Sequence, residues 1–176
     1  MSIFDFVSYK LTEILIPITF MSKTLQYYNV LYVDDEIHNL NSFKACFRRD
    51  FKVFTATNVA EGLKILNEQE IHLIITDQRM PETTGIEFLE SIIKDHPEPV
   101  RMLLTGYADI AAVIDAINKG QVFKYIQKPW QEDQLRQTIL EGLELYTLNK
   151  TKKEIAEKLE ENNRQMEFIL RQSLLS

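Results

Sequence analysis

The sequence predicts an α/β domain with a doubly wound, five-stranded parallel sheet and a long helix at its C-terminal end. From Tyr28 onward, short apolar runs of strand length alternate five times with segments of helical character. Strands separated by helices are joined by right-handed crossovers and form parallel sheets. Several of these runs also end in reactive polar residues, as expected where parallel strands share one ligand-binding edge.

The first half of the domain contains three predicted strands and two helices. Residues 30–33 form a buried strand, and residues 37–49 form a helix with apolar side chains at Leu40, Phe43, Ala45 and Phe47. Residues 52–56 form the second strand. Asn58 is the expected N-cap of the next helix, with Glu61 as its capping-box partner. Residues 73–76 form a continuous apolar run, which is typical of a strand buried on both faces.

The second half repeats the same alternation. Residues 85–96 form a helix that ends before Pro97 and Pro99, and residues 102–104 form the fourth strand. A helix over residues 110–118 ends at Lys119-Gly120, with glycine at the expected C-terminal position. Residues 123–127 form the fifth strand, and a further helix starts near Trp130.

The last helix continues past the predicted domain boundary at residue 145. Between residues 131 and 171 there is no proline, and Gly142 is the only glycine. Apolar residues follow alternating steps of three and four, which predicts a coiled coil over residues 146–176. Asn162 would fix its register, and the alternative is a single solvated helix. The seam consists of Leu145, Leu148, Lys152, Ile155, Leu159, Asn162, Met166 and Ile169.

Net charge, cysteine content and the length of the apolar runs argue against several classes of function. The net charge of −6 argues against nonspecific nucleic-acid binding. The single cysteine, Cys46, cannot form an internal disulfide and fits a reducing, cytoplasmic compartment. The apolar run at residues 14–21 is too short for a membrane span and contains Pro17. Residues 1–27 are therefore an N-terminal extension: either a docking segment or, as we prefer, sequence upstream of a true start at Met21.

Acidic residues at two strand ends predict a metal site. Asp34 and Asp35 follow the first strand, and Asp77 follows the third. One of the adjacent pair is enough to cap a helix, which is the ordinary alternative. Three carboxylates that meet at one edge repel each other unless a cation lies between them, and Mg²⁺ suits such a set. The backbone carbonyl of Arg79 is a further expected ligand, and Asp77 is the expected nucleophile for a phosphoryl group.

The other two strand ends supply a hydroxyl and an ammonium group. Thr105 ends the fourth strand before Gly106, where it either caps the next helix or donates to a phosphoryl oxygen. Lys128 follows the fifth strand and is expected to pair with Asp77 or its phosphate, although an exposed lysine is the simpler alternative. The Lys128–Pro129 bond, whether trans or cis, would aim this lysine. Tyr125 is either a core residue or an aromatic ring that changes rotamer next to the site.

Residues 28–145 resemble the receiver domain of two-component response regulators, a flavodoxin-like fold. The resemblance rests on Asp34-Asp35, on Asp77-Gln78-Arg79-Met80-Pro81, on Thr105, on Tyr125 and on Lys128-Pro129. It points to the subgroup whose fifth strand ends in Lys-Pro-Trp, here completed by Trp130, with Thr105-Gly106-Tyr107-Ala108-Asp109 before the fourth helix. No residue of this signature is missing.

The resemblance implies a phosphorylated switch. Asp77 would accept a phosphoryl group from a sensor histidine kinase or phosphotransfer protein, with Mg²⁺ held by Asp34, Asp35, Asp77 and the Arg79 carbonyl. Thr105 and Tyr125 would then rearrange the face formed by the fourth helix, fifth strand and fifth helix. Such a protein is not an enzyme, although it assists its own phosphotransfer and dephosphorylation.

The sequence leaves four interpretations of the function of the whole chain, of which the last is disfavoured. The first is a receiver that dimerises through its C-terminal coiled coil, without nucleic acid or membrane span. The second is the front piece of a larger signalling protein with a cyclase or kinase output. The third is a scaffold that is never phosphorylated. A haloacid-type hydrolase is disfavoured because it needs an aspartate at position 79, which is arginine.

Overall fold

The computed structural model describes residues 27–106, 110–118 and 121–175. The predicted N-terminal extension up to residue 26, including the alternative start at Met21, lies outside the described residues. The same holds for residues 107–109 of the family signature and for the expected helix stop at Lys119-Gly120. Among the described residues, no helix is both long and apolar enough to cross a membrane.

Strands and helices alternate along the whole described chain. In order they are β1 (Asn29–Val33), α1 (Ile37–Phe47), β2 (Lys52–Ala56), α2 (Val59–Glu68), β3 (Leu73–Asp77), α3 (Gly85–Ile92), β4 (Val100–Thr105), α4 (Ile110–Asn118), β5 (Lys124–Gln127) and α5 (Glu132–Leu175). This order and the parallel pairing of all five strands confirm the predicted fold class.

The strand order of the sheet is β2-β1-β3-β4-β5. The order reverses between β1 and β3, which are neighbours although β2 lies between them in sequence. In open parallel sheets, ligands bind beyond the carboxyl ends of the strands at such a reversal. The ends of β1 and β3 are therefore where this fold is expected to bind a ligand.

Two hydrophobic clusters cover the two faces of the sheet. Along β1, Val30 and Tyr32 join the cluster under α1 and α5, while Leu31 and Val33 join the cluster under α2, α3 and α4. This alternation is the period-two pattern of a strand buried on both faces. The residues of β3 are all buried, as the apolar run predicted.

Several element bounds differ from the sequence prediction. Strand β4 is longer than residues 102–104 because Val100 pairs with Leu73 and Thr105 pairs with Gln127. Pairing partners of this kind are set by tertiary structure and leave no signal in the strand's own sequence. Helix α3 ends at Ile92 instead of residue 96, where the Ile93 N–H donates to the Glu90 carbonyl in a tighter turn.

The predicted helix cap at Asn58 is confirmed, with one correction. The Asn58 side chain accepts a hydrogen bond from the Glu61 N–H at 2.9 Å. The Glu61 carboxylate, however, accepts from the N–H and hydroxyl of Thr57 rather than from Asn58. The reciprocal capping box lies instead at the start of α3, between Thr84 and Glu87.

Candidate functional site

Neighbouring strands bring the predicted site residues to one edge of the sheet. Asp34 follows β1, Asp77 ends β3 and Thr105 ends β4. Backbone hydrogen bonds fix these ends to each other: the Gln78 N–H donates to the Leu104 carbonyl at 2.8 Å, and the Lys128 N–H donates to the Thr105 carbonyl at 2.8 Å. The edge therefore carries two carboxylates, a hydroxyl and an ammonium group.

The Lys128 ammonium lies between two carboxylates. Its Nζ is 3.0 Å from Asp34 Oδ2 and also forms an ion pair with Asp77 Oδ1. The Lys128–Pro129 peptide bond is cis. Burial lowers the pKa of Lys128, but the hydrogen bonds and charges of Asp77 and Asp34 outweigh burial, and the net shift is upward. Lys128 is therefore a charged, partnered residue rather than the exposed lysine of the alternative interpretation.

Asp34 is a buried carboxylate with a full set of donors. Its side chain accepts from the Tyr32 hydroxyl at 2.5 Å, the Glu36 N–H at 2.9 Å and the Asn39 amide at 3.0 and 3.1 Å, besides Lys128. Burial alone raises the pKa of Asp34, but these hydrogen bonds act against burial and hold the pKa below its ordinary value. Burial, with the hydrogen bond to Asp34, raises the pKa of the Tyr32 hydroxyl.

Asp77 is shifted in the opposite direction. Its Oδ2 accepts from the Arg79 N–H at 2.7 Å, and its other oxygen pairs with Lys128. Burial is the largest influence and raises the pKa of Asp77, while Lys128 and the Arg79 N–H reduce the rise. Asp77 thus has fewer stabilising donors than Asp34, which leaves it the more basic of the two carboxylates.

The structure does not show a preformed metal cluster. Within the described ranges, no three Asp, Glu, His or Cys side chains are arranged to hold a metal ion. Lys128 lies between Asp34 and Asp77, and Asp35 is exposed. The donor set still suits Mg²⁺, because this ion binds one or two carboxylates and keeps several waters. Of the four predicted ligands, Asp35, Asp77 and the Arg79 carbonyl would hold it, whereas Asp34, which pairs with Lys128, would lie beside them.

The alternative interpretation, in which Asp34 or Asp35 only caps the first helix, does not agree with the structure. The N-cap of α1 is Glu36, whose side chain forms no capping hydrogen bond. The buried Thr105 hydroxyl donates to the Gly106 carbonyl at 3.1 Å, and residues 107–109, on which the alternative of a cap for α4 depends, lie outside the described residues. A Cβ atom at Gly106 would meet no atom of the described residues within 4 Å, so these residues leave open space next to Thr105. Tyr125 is 37% exposed on β5 and is not a core residue.

Several residues that support the site were missed in the sequence. Tyr32 and Asn39 contact Asp34, as described above. Gln78 is buried behind Asp77, where its side-chain oxygen accepts from the Ile86 N–H at 3.2 Å and its carbonyl accepts from the Gly85 N–H at 3.0 Å. A tyrosine in an otherwise aliphatic strand, two residues before Asp34, was the one available signal.

Comparison with known proteins agrees with this geometry. Residues 30–140 match the family model described as the response regulator receiver domain. The chain belongs to this family. The resemblance found in the sequence is thereby confirmed at the level of the receiver domain of two-component regulators.

Curated relatives extend well beyond the receiver. The chain is 38% identical over 121 residues to the hydrogenase transcriptional regulatory protein HoxA of Bradyrhizobium diazoefficiens, covering 69% of this chain and 25% of that protein. It is 36% identical over 115 residues to HoxA of Cupriavidus necator, covering 65% of this chain and 24% of that protein. The receiver chain thus spans about a quarter of the length of these relatives.

Solved structures show the same fold. A structure described as adenylate cyclase from Rhodopirellula baltica has a TM-score of 0.72 at 32% identity and covers 74% of this chain and 97% of that chain. A response regulator receiver domain protein from Clostridium thermocellum has a TM-score of 0.65 at 32% identity, with 69% of this chain and 98% of that chain covered. Both comparisons support the receiver fold.

Proposed function

We propose that this receiver is a phosphoacceptor, modified on Asp77 in a Mg²⁺-dependent step by a sensor histidine kinase or phosphotransfer protein in the cytoplasm. The observation that carries the proposal is the Lys128 ammonium held between the Asp34 and Asp77 carboxylates at the shared strand edge. A half-buried positive charge beside a basic carboxylate is suited to an incoming phosphoryl group, whose negative charge it neutralises.

The reaction is a direct transfer to the carboxylate. One Asp77 oxygen forms a bond to phosphorus while the P–N bond to the donor imidazole breaks. The electron pair stays on the imidazole nitrogen, which takes up a proton from solvent. Lys128 and the Arg79 N–H hold the Asp77 carboxylate in place, and both remain beside the acyl phosphate that forms. Bound Mg²⁺ supplies further neutralisation of the phosphoryl charge.

We assign the response to Thr105, Tyr125 and the face formed by α4, β5 and α5. Among the described residues, the Thr105 hydroxyl bonds only locally, to Gly106, so it is available to turn toward a phosphoryl oxygen. Tyr125 lies next to Leu103 in the register of β4 and β5, and its ring is 37% exposed. Inward movement of Tyr125 would convert this exposed ring to a buried one and so change the surface that a partner meets.

The phosphorylation test uses a small phosphodonor. The full chain is incubated with acetyl phosphate and Mg²⁺, and intact-mass spectrometry detects one added phosphoryl group that is stable to acid and labile to base. Asp77→Asn should abolish the gain, whereas Asp95→Asn, an exposed carboxylate away from the site, should not. Absence of a gain in the wild type would support the scaffold alternative instead.

We further propose that the second half of α5 pairs with a second copy of the chain. Its seam residues are strongly exposed in the single chain, with Ile155 at 63%, Leu159 at 59% and Met166 at 63%. Apart from Lys152, the charged side chains of this segment lie off the stripe, and Arg164 pairs with Glu160 along the same helix. Burial of such a stripe in a two-stranded coil removes apolar surface from water.

Sedimentation velocity tests the pairing. The wild type should sediment as a dimer, and Leu159→Lys should shift it to a monomer while far-UV circular dichroism stays receiver-like. Lys158→Glu, an adjacent charge change off the stripe, is the matched control. A wild-type monomer with an intact helix, both with and without phosphodonor, would overturn the coiled-coil proposal.

A second candidate is a receiver module of a larger signalling protein. The observation in its favour is the length of the curated relatives, of which the chain covers about a quarter. In that case α5 would transmit the rearrangement caused by phosphorylation to an output domain instead of pairing with a second copy of the chain. The genomic reading frame on both sides of the sequence decides between the two readings.

A further inference from the structure

Two side chains with no role in the phosphotransfer hold the Asp34 carboxylate. The Tyr32 hydroxyl donates to Oδ2 at 2.5 Å, and the Asn39 amide donates to Oδ1 at 3.1 Å and to Oδ2 at 3.0 Å. Tyr32 belongs to β1 and Asn39 to α1, so two different elements fix one carboxylate.

The hydroxyl of Tyr32 is itself fixed by the core. The Tyr32 side chain is fully buried, and its ring lies against Phe43 with the centroids 4.6 Å apart. Close packing holds this ring in a single rotamer, so its hydroxyl stays within hydrogen-bond distance of Asp34. Asn39 lies in the first turn of α1, and the same carboxylate also accepts from the Glu36 N–H at the start of that helix.

These donors use the whole acceptor capacity of Asp34. A carboxylate has about four acceptor positions. Here they receive the Tyr32 hydroxyl, the Glu36 N–H, the Asn39 amide and the Lys128 ammonium. A carboxylate whose acceptor positions are all occupied keeps its orientation, so Asp34 continues to hold the Lys128 ammonium as an anchor.

We propose that Tyr32 and Asn39 are positioning residues that fix Asp34 as the second anchor of Lys128. The inference rests on the proposed phosphoacceptor function. With Asp34 fixed, the ammonium is shared between two carboxylates. When Asp34 is released, the ammonium pairs with Asp77 alone and competes with Mg²⁺ for that carboxylate.

The first test needs no metal ion. Urea unfolding is measured for Tyr32→Phe in the wild-type background and in an Asp34→Ala background, where the acceptor is absent. Loss of a hydrogen bond to a charged group should lower the folding equilibrium constant about 10- to 100-fold in the first background, and much less in the second. Equal effects in both backgrounds would overturn the proposal, because they would leave Tyr32 as a core aromatic only.

The second test measures Mg²⁺ binding to the full chain by isothermal titration calorimetry. Tyr32→Phe and Asn39→Ala should each weaken Mg²⁺ binding about tenfold, because the Lys128 ammonium, no longer held by Asp34, then competes with Mg²⁺ for Asp77. Tyr28→Phe is the matched control for the tyrosine, because its hydroxyl bonds to Thr147 instead. Ser42→Ala, on the same helix as Asn39, controls for the second change.

The two tests separate this inference from the proposed function. A folded Tyr32→Phe protein that binds Mg²⁺ as tightly as Tyr28→Phe, or more tightly, would refute the positioning role while leaving phosphorylation intact. A wild type that neither binds Mg²⁺ nor accepts a phosphoryl group would refute the proposed function. In that case, urea unfolding of Tyr32→Phe in the wild-type and Asp34→Ala backgrounds still decides whether Tyr32 holds Asp34.

Discussion

Replacement of Gly85 by alanine tests how closely α3 is packed beneath the phosphoacceptor. A Cβ atom at this position would overlap the Asp77 carbonyl oxygen, lie 3.0 Å from the Asp77 carbonyl carbon and lie 2.8 Å from Leu103 Cδ1. The carbonyl belongs to the backbone of β3, which is paired on both sides, so it cannot yield as a side-chain end would. Either α3 or the end of β3 must therefore move.

The magnitude follows from the overlap. Insertion of a methyl group into a closely packed site costs about 1–3 kcal/mol of unfolding free energy. A displacement of about 1 Å at a reacting group costs on the order of 100-fold in rate. Gly85→Ala should therefore be both less stable in urea and far slower to accept a phosphoryl group from acetyl phosphate, measured by intact mass against time.

The chain offers a matched control for this change. At Gly62 in α2, an added Cβ would meet Phe88 Cζ and Val33 Cγ2 at 3.4 Å, which is nearly ordinary contact. Gly62→Ala should keep the wild-type phosphorylation rate and gain up to about 1 kcal/mol from helix propensity. If Gly85→Ala is phosphorylated as fast as Gly62→Ala, the close approach of α3 to Asp77 does not affect phosphorylation of Asp77.

Three further predictions concern charge and capping. Burial raises the pKa of Asp77, so its ionisation costs stability as pH rises through and above its ordinary value of about 3.9; Asp77→Asn should raise the urea midpoint at pH 7, and the gain should shrink toward pH 3–4. If the urea midpoint of Asp77→Asn is still higher than that of the wild type at pH 3–4, the raised pKa of Asp77 is not the cause of the gain. Lys128→Met leaves two buried carboxylates without their shared cation, so we expect a loss of about 3 kcal/mol in urea at pH 7, smaller in acid, and no detectable phosphorylation by intact mass; unchanged stability would refute the bridge. Asn58→Ala removes the cap of α2 and should cost about 1 kcal/mol in urea, without effect on the phosphorylation rate, whereas Ser42→Ala should be neutral.

The sheet and its reactive edge were predictable because both depend on local patterns. Apolar runs of strand length reveal β1 and β3, and the polar residues that follow them fall at one edge in any parallel sheet. The bounds of β4 were not predictable, since Val100 joins the strand only through its pairing with Leu73. Pairing across the sheet is a tertiary effect that one sequence does not display.

The candidate site was predictable in its residue types but not in its contacts. Motif spacing identified Asp34, Asp77 and Lys128, yet it did not reveal that the ammonium separates the two carboxylates. Tyr32 was assigned to the strand core, where its ring does lie, but its hydroxyl position depends on packing against Phe43. Contacts of this kind arise only when two elements meet in three dimensions.

Helix α5 can serve the receiver and a partner at the same time, because it uses different faces for the two. Leu135, Ile139 and Tyr146 are buried against the sheet, whereas the exposed stripe runs from Leu148. Consecutive residues are about 100° apart around a helix of 3.6 residues per turn, so Leu145 and Tyr146 belong to different faces. Leu145 is half-buried at the point where both faces meet. A shift in the packing of α5 on β3 and β4 would therefore rotate or displace the stripe. Under the proposed function, this shift would give phosphorylation at the strand edge a direct mechanical route to the paired helices.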